Sequence, residues 1–227
     1  MHTLSTPLTM ARLMILGATL ISLSGCIIHI GGGSNDYEGN SVSSVFGGLS
    51  VSSGKQVTNI SSVNGSIDLE DKVSAHHVDT VNGSIDIGNH VSVRSAKTVN
   101  GNIETGHHFV SKGDVETVNG DISIQTSSTI NGNVETVNGD IVLDQIEVKS
   151  NVQTHTGDIS LAQNTQVHGD IIFNANKQNR GAKTIPTLTI DNTSIVHGQI
   201  ILHRQVTLVI EDAELLRKVQ YYYKNAQ

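Results

Sequence analysis

This chain repeats the phrase Thr80-Val81-Asn82-Gly83-Ser84-Ile85 at an almost constant interval, and that repetition limits its possible folds more than any other feature. Successive copies are 18 or 19 residues apart. A unit of this length cannot bury an apolar face by itself and becomes stable by stacking on its neighbours. The copies are marked by the glycines Gly65, Gly83, Gly101, Gly120, Gly139 and Gly157.

Apolar residues around these glycines alternate with polar ones, as in β-strands. Val, Ile and Thr dominate, and an Asn-Gly pair in the middle of each unit would break a helix, which argues against a helical solenoid. A hairpin meander does not explain one Asn-Gly pair per 18 residues. The sequence therefore predicts an all-β, single-stranded parallel β-helix, or β-solenoid, with 18–19 residues per coil. The isoleucine column comprises Ile67, Ile85, Ile103, Ile122, Ile141 and Ile159, and the same phrase returns at Ile171 and Ile200.

Each Asn-Gly pair is predicted to mark a bend, at which glycine supplies a positive φ and asparagine tolerates the left-handed region. We expect a right-handed coil, because parallel strand connections are right-handed as a rule. Equivalent residues of stacked coils then form ladders. The predicted turn ladder comprises Asn64, Gly65, Asn82, Gly83, Asn100, Gly101, Asn119, Gly120, Asn138 and Gly139.

The valine before each asparagine leaves two alternatives open. A bend at the preceding threonine turns this valine into the core, or the valines form an apolar stripe on the outside. The column comprises Val63, Val81, Val99, Val118 and Val137.

Residues 1–25 are predicted to be a secretory signal. Arg12 supplies positive charge and 13–23 is an apolar run too short to span a bilayer. The segment Leu23-Ser24-Gly25-Cys26 resembles the bacterial lipobox, and Cys26 is the only cysteine of the chain. This resemblance implies cleavage before Cys26 and attachment of a diacylglycerol and a further acyl chain such as palmitate, which together hold a protein stably on a membrane. The Ile27 that follows is typical of sorting to the outer membrane.

The mature chain divides into three predicted parts. Residues 26–44 comprise the lipidated cysteine and a flexible Gly-Ser tether, residues 45–210 form the β-solenoid, and residues 211–227 form a C-terminal cap. A loop over 174–186 interrupts the coils and carries the cationic residues Lys177, Arg180 and Lys183.

Charged and histidine columns are the candidate sites for chemistry. With a formal charge of −7 and no basic face, nucleic-acid binding is not expected. The histidines His90 and His108 recur seven residues after a repeat glycine, yet no third metal ligand is apparent. We predict no enzymatic activity, no cofactor and no metal, because periodic carboxylates behave as structural columns and sugar-binding aromatic residues are few. The acidic columns comprise Asp68, Asp86 and Glu104, and Asp121, Asp140, Asp158 and Asp170.

A threonine column, which begins at Thr80 and Thr98, is similar to one rank of an ice-binding surface. We interpret it as part of the structural wall, because the position that would form the second rank holds valine or histidine.

The lipobox, the Gly-Ser segment and the Val-Asn-Gly-x-Ile-x-Ile units over 45–210 resemble bacterial adhesin-type β-solenoid domains of unknown function. The resemblance implies an envelope lipoprotein whose wall is a binding or structural surface for a glycan or a protein. The alternatives are a self-assembling scaffold and a cation- or polysaccharide-binding module. The oligomeric state stays open.

Overall fold

The computed structural model describes residues 28–30, 41–175 and 185–223, which form a parallel β-solenoid of about nine coils. Three parallel sheets make its walls, because each regular coil adds one short strand to each sheet. The predicted fold class is thus confirmed. Sheet A consists of Ile28–Ile30, Leu49–Val51, Ile67–Leu69, Ile85–Ile87, Ile103–Thr105, Ile122–Ile124, Ile141–Asp144, Ile159–Ala162, Thr187–Ile190 and Thr207–Ile210.

Sheets B and C complete each coil. Sheet B consists of Val42–Phe46, Asn59–Asn64, His77–Asn82, Ser95–Lys97, Val115–Asn119, Val134–Asn138, Val152–Thr154, Ile171–Phe173, Ile200–Leu202 and Val219–Tyr221. Sheet C consists of Ser92–Val93, Val110–Ser111, Thr129–Ile130, Glu147–Val148, Gln166–Val167 and Ile195–Val196.

Side chains alternate between core and solvent along the strands. In Ile67–Leu69, both end residues are buried and Asp68 is exposed. Parallel register places Ile67 beside Ile85, and Ile85 beside Ile103, so the isoleucines form a continuous buried ladder. A fully buried isoleucine contributes about 1.5–3 kcal/mol of transfer free energy, so the core is built up coil by coil.

Two isoleucines lie in a different sheet from the one that their sequence phrase predicts. Ile171 pairs with Val152 in sheet B, and Ile200 pairs with Ile171. In sheet A, the residue that pairs with Ile159 is Leu188. The sequence phrase led to the wrong column because a glycine two residues before an isoleucine occurs at two different corners of the coil.

The repeat glycines are required by close packing between coils, and the predicted positive φ was wrong for most of them. Gly65, Gly83 and Gly101 do not lie in the left-handed region. A Cβ on Gly101 would overlap the carbonyl group of Gly83 on the neighbouring coil. The left-handed bends lie elsewhere, mostly at the corner between sheets A and C, and are occupied by Lys72, His90, His108, Ser127, Gln145, Gln163 and Asn164.

The sheets continue into both predicted end segments. The span predicted as a flexible tether, 26–44, contains the strand Ile28–Ile30, which pairs with Leu49–Val51, and most of the strand Val42–Phe46. The predicted cap, 211–227, contains a one-turn helix, Ala213–Leu216, and then adds the strand Val219–Tyr221 to sheet B. Alternating apolar residues continue the sheets at both ends.

Several predicted features lie outside the described residues. They are the signal over 1–25, Cys26 and the cationic residues Lys177, Arg180 and Lys183. In the part of the chain that the structure describes, no helix has the length and apolar character needed to cross a bilayer.

We expect Gly101→Ala to lower the free energy of unfolding by more than about 2 kcal/mol, because the added methyl group forces two backbones apart. Gly54→Ala is the control, since no atom lies within 4 Å of its Cβ position and only its φ of 74° is unfavourable. That control should cost about 1–2 kcal/mol. Urea unfolding measures both, and a Gly101→Ala loss no larger than the control would contradict the packing argument.

Candidate functional site

The repeat asparagines form an amide ladder on the outside of the solenoid. Each Nδ2 donates to the Oδ1 of the asparagine one coil earlier, over 2.8–2.9 Å. At one end Asn64 donates to the carbonyl oxygen of Val45, and at the other Thr156 donates to Asn138. The amides therefore link the coils in one direction along the axis. The ladder comprises Asn64, Asn82, Asn100, Asn119 and Asn138.

The threonine column points inward, so it does not provide an ice-binding face. Thr117 and Thr136 are buried, and each hydroxyl donates to a repeat-glycine carbonyl oxygen on the preceding coil at 2.9 Å. Thr80 and Thr98 make the same bond to Gly65 and Gly83. These hydroxyls satisfy partly buried carbonyl groups at the corner between sheets B and A.

The valine column forms the outer apolar stripe, which resolves the alternative left by the sequence. Val63, Val81, Val99 and Val118 are 41%, 40%, 38% and 38% exposed, and Val137, the last of the column, is half-buried. Val45 heads the same column. The stripe follows the amide ladder from coil to coil.

The first acidic column lies in register on the outer face of sheet A. Asp68 pairs with Asp86, and Asp86 with Glu104, along the floor of an open groove. Partial burial, followed by the charges of Glu104 and Asp68, raises the pKa of Asp86. These like charges on neighbouring coils repel one another.

The second acidic column is structural. Oδ1 of Asp121 accepts the backbone N–H of Asp140, and Oδ1 of Asp140 accepts that of Asp158, both at 2.8 Å. The assignment of Asp170 to this column was wrong. Asp170 belongs to a parallel ladder at another corner, where its backbone N–H donates to Asn151 and its Oδ1 accepts from Gln199.

Histidines stack in two places. The rings of His90 and His108, which both lie seven residues after a repeat glycine, are 4.6 Å apart and nearly parallel. A second stack, of His168 on His197 at 4.7 Å, was missed because the inserted loop separates the two in sequence. Nε2 of His168 also lies 2.8 Å from Oε1 of Glu147.

Glu147 is the carboxylate that faces this second stack. Hydrogen bonds from Lys149 and then His168 lower the pKa of Glu147. Over residues 28–30, 41–175 and 185–223, no three His, Cys, Asp or Glu side chains are grouped so as to hold a metal ion.

Comparison with known families gives one match. A family model described as Toastrack DUF4097 matches residues 49–177, which is more than half of the 227-residue chain. Neither the curated proteins nor the solved structures contain a match. The match covers the regular coils and agrees with the β-solenoid architecture.

We expect Asp140→Ala to destabilise the protein by about 1–2 kcal/mol, because the backbone N–H of Asp158 loses its acceptor. Asp140→Asn keeps an Oδ1 acceptor and should stay within about 0.5 kcal/mol of the wild type. Thermal and urea unfolding of the two variants measure the difference. Equal stability of Asp140→Ala and Asp140→Asn would show that this column is only solvated charge.

Proposed function

The chain belongs to the Toastrack DUF4097 family, a β-solenoid repeat family of unknown function, and on that premise we propose that it is a lipid-anchored lipoprotein of the bacterial cell envelope. The observation that carries the proposal is the lipobox-like segment that ends at Cys26. It follows an apolar run of signal-peptide length and contains the only cysteine. The anchor is the acylated Cys26, and Ile27 favours the outer membrane.

The proposed role of the solenoid is to present a binding or structural surface, without catalysis. Ten parallel strands about 4.8 Å apart make a wall about 40 Å long. Its outward side chains repeat with the spacing of the coils, which suits a repetitive partner such as an envelope glycan or an elongated protein. An adhesin-like role follows if the wall faces the outside of the cell.

Two observations support a non-enzymatic role. The carboxylates of Asp121, Asp140 and Asp158 are committed to backbone N–H groups of the next coil. The carboxylates of Asp68, Asp86 and Glu104 line an open groove on a flat wall. A glycosidase needs one pair of carboxylates at a fixed separation in a cleft, which a periodic column does not supply.

We expect the wild-type protein to incorporate labelled palmitate in bacterial cells and Cys26→Ala to incorporate none, because the modified thiol is lost. Ser22→Ala, which lies outside the four-residue lipobox, is the matched control and should be labelled like the wild type. The Cys26→Ala variant keeps its apolar leader, so label incorporation and the mass of the mature N-terminus are the decisive readouts. An unlabelled wild-type protein would contradict the anchor.

A further inference from the structure

Two large apolar side chains project into solvent from the first described coil. Val45 is 58% exposed and Phe46 is 60% exposed, more than any other large apolar side chain over 41–175 and 185–223 except those of two C-terminal tyrosines. The other two phenylalanines of the chain, Phe109 and Phe173, are fully buried. The exposure of Phe46 thus contrasts with the burial of the other two phenylalanines.

Phe46 also breaks the repeat at the point where the solenoid begins. It pairs with Asn64 and therefore heads the column that holds asparagine in the next five coils. The amide ladder does not need a side chain here, because Asn64 donates to the backbone carbonyl oxygen of Val45. A polar residue would fit at position 46 equally well. Exposure of the phenyl ring to water is unfavourable, and the ring adds no hydrogen bond to the ladder.

The chain enters the solenoid next to this apolar pair. Ile28 pairs with Leu49, which lies three residues after Phe46. Cys26 precedes Ile28 by two residues, and an extended chain spans at most about 3.6 Å per residue. The Cα atom of Cys26 is therefore within about 7 Å of that of Ile28. Acyl chains on Cys26 would be attached at the coil that exposes Val45 and Phe46.

The charge distribution suits contact with phospholipid at this end. Residues 41–67 contain no Asp or Glu and one Lys, although the whole chain has a formal charge of −7. The acidic wall begins at Asp68. Asp36 and Glu38 lie in the segment 31–40, outside the described residues. The described part of the first coil thus brings no carboxylate towards an anionic membrane surface.

We propose that Val45 and Phe46 insert into the interface of the bilayer that holds the Cys26 lipid. The solenoid then stands end-on, with its first coil against the phospholipid headgroups and its last coil about 40 Å away. This inference rests on the proposed lipid anchor. Its partner is the phospholipid surface, which takes up an aromatic ring and an aliphatic side chain at the headgroup boundary.

The chain contains no tryptophan, so one substitution creates a specific probe. Lipidated Phe46→Trp is purified and reconstituted into phosphatidylethanolamine–phosphatidylglycerol vesicles, with or without brominated acyl chains. Tyr222→Trp is the matched control, because Tyr222 is 64% exposed and follows the last strand of sheet B. Vesicle flotation and mass spectrometry of the same samples report on the anchor, and circular dichroism reports on folding. If Phe46→Trp fails to fold, Val45→Trp takes its place.

We expect the Phe46→Trp emission to shift to the blue on reconstitution and to lose most of its intensity with brominated lipid, while the Tyr222→Trp emission stays unchanged. Acylated protein that floats with vesicles but leaves the Phe46→Trp emission unchanged overturns the insertion and leaves the anchor intact. Quenching of both variants overturns the end-on orientation. Protein that is neither acylated nor vesicle-bound overturns the anchor, and the insertion with it.

Discussion

Close backbone contact between successive coils is the constraint on which the rest of this structure depends. At the corner of each coil a repeat glycine leaves no room for a side chain against the glycine of the coil before it. That contact fixes the register, so residues one period apart lie side by side. In the regular coils of the described residues, a side chain therefore has the equivalent side chains of the adjacent coils as its neighbours.

Because equivalent positions of adjacent coils are neighbours, the hydrogen-bonding capacity of a polar residue decides whether it fits in the wall. Asparagine both donates and accepts, so one asparagine can satisfy the next along the axis. Threonine hydroxyls inside the coil donate to glycine carbonyl oxygens instead. Aspartate has only acceptors when ionised, and it is accommodated where the neighbouring coil offers a backbone N–H, as Asp121 shows.

The sequence was sufficient to predict the solenoid, because each buried isoleucine repeats with the same alternation and the same period. It could not show why Gly101 is a glycine, since the contact that excludes a side chain comes from another coil. It also misplaced Ile171 and Asp170, because similar phrases occur at two corners. The sequence analysis did not single out Phe46, because a residue that departs from the repeat does not match a column of similar residues.

The wall and the ends of the solenoid offer different surfaces. Along the wall, the valine stripe and the amide ladder change little from coil to coil, which suits a repetitive partner. At the first coil the repeat breaks at Phe46, beside the point at which the chain enters from Cys26. Features that occur once are the ones that can orient the molecule on a surface.

Disulfide formation between neighbouring coils tests the central claim, which is that residues one period apart lie side by side. Val118 and Val137 flank paired residues on adjacent coils, so their Cα atoms should be about 5 Å apart, within the range of a disulfide. The Val118→Cys/Val137→Cys variant should form an intramolecular disulfide that peptide mapping can distinguish from one to Cys26. The control Val99→Cys/Val137→Cys spans two coils, about 10 Å, and should not. Equal cross-linking of both pairs, or of neither, would contradict the register.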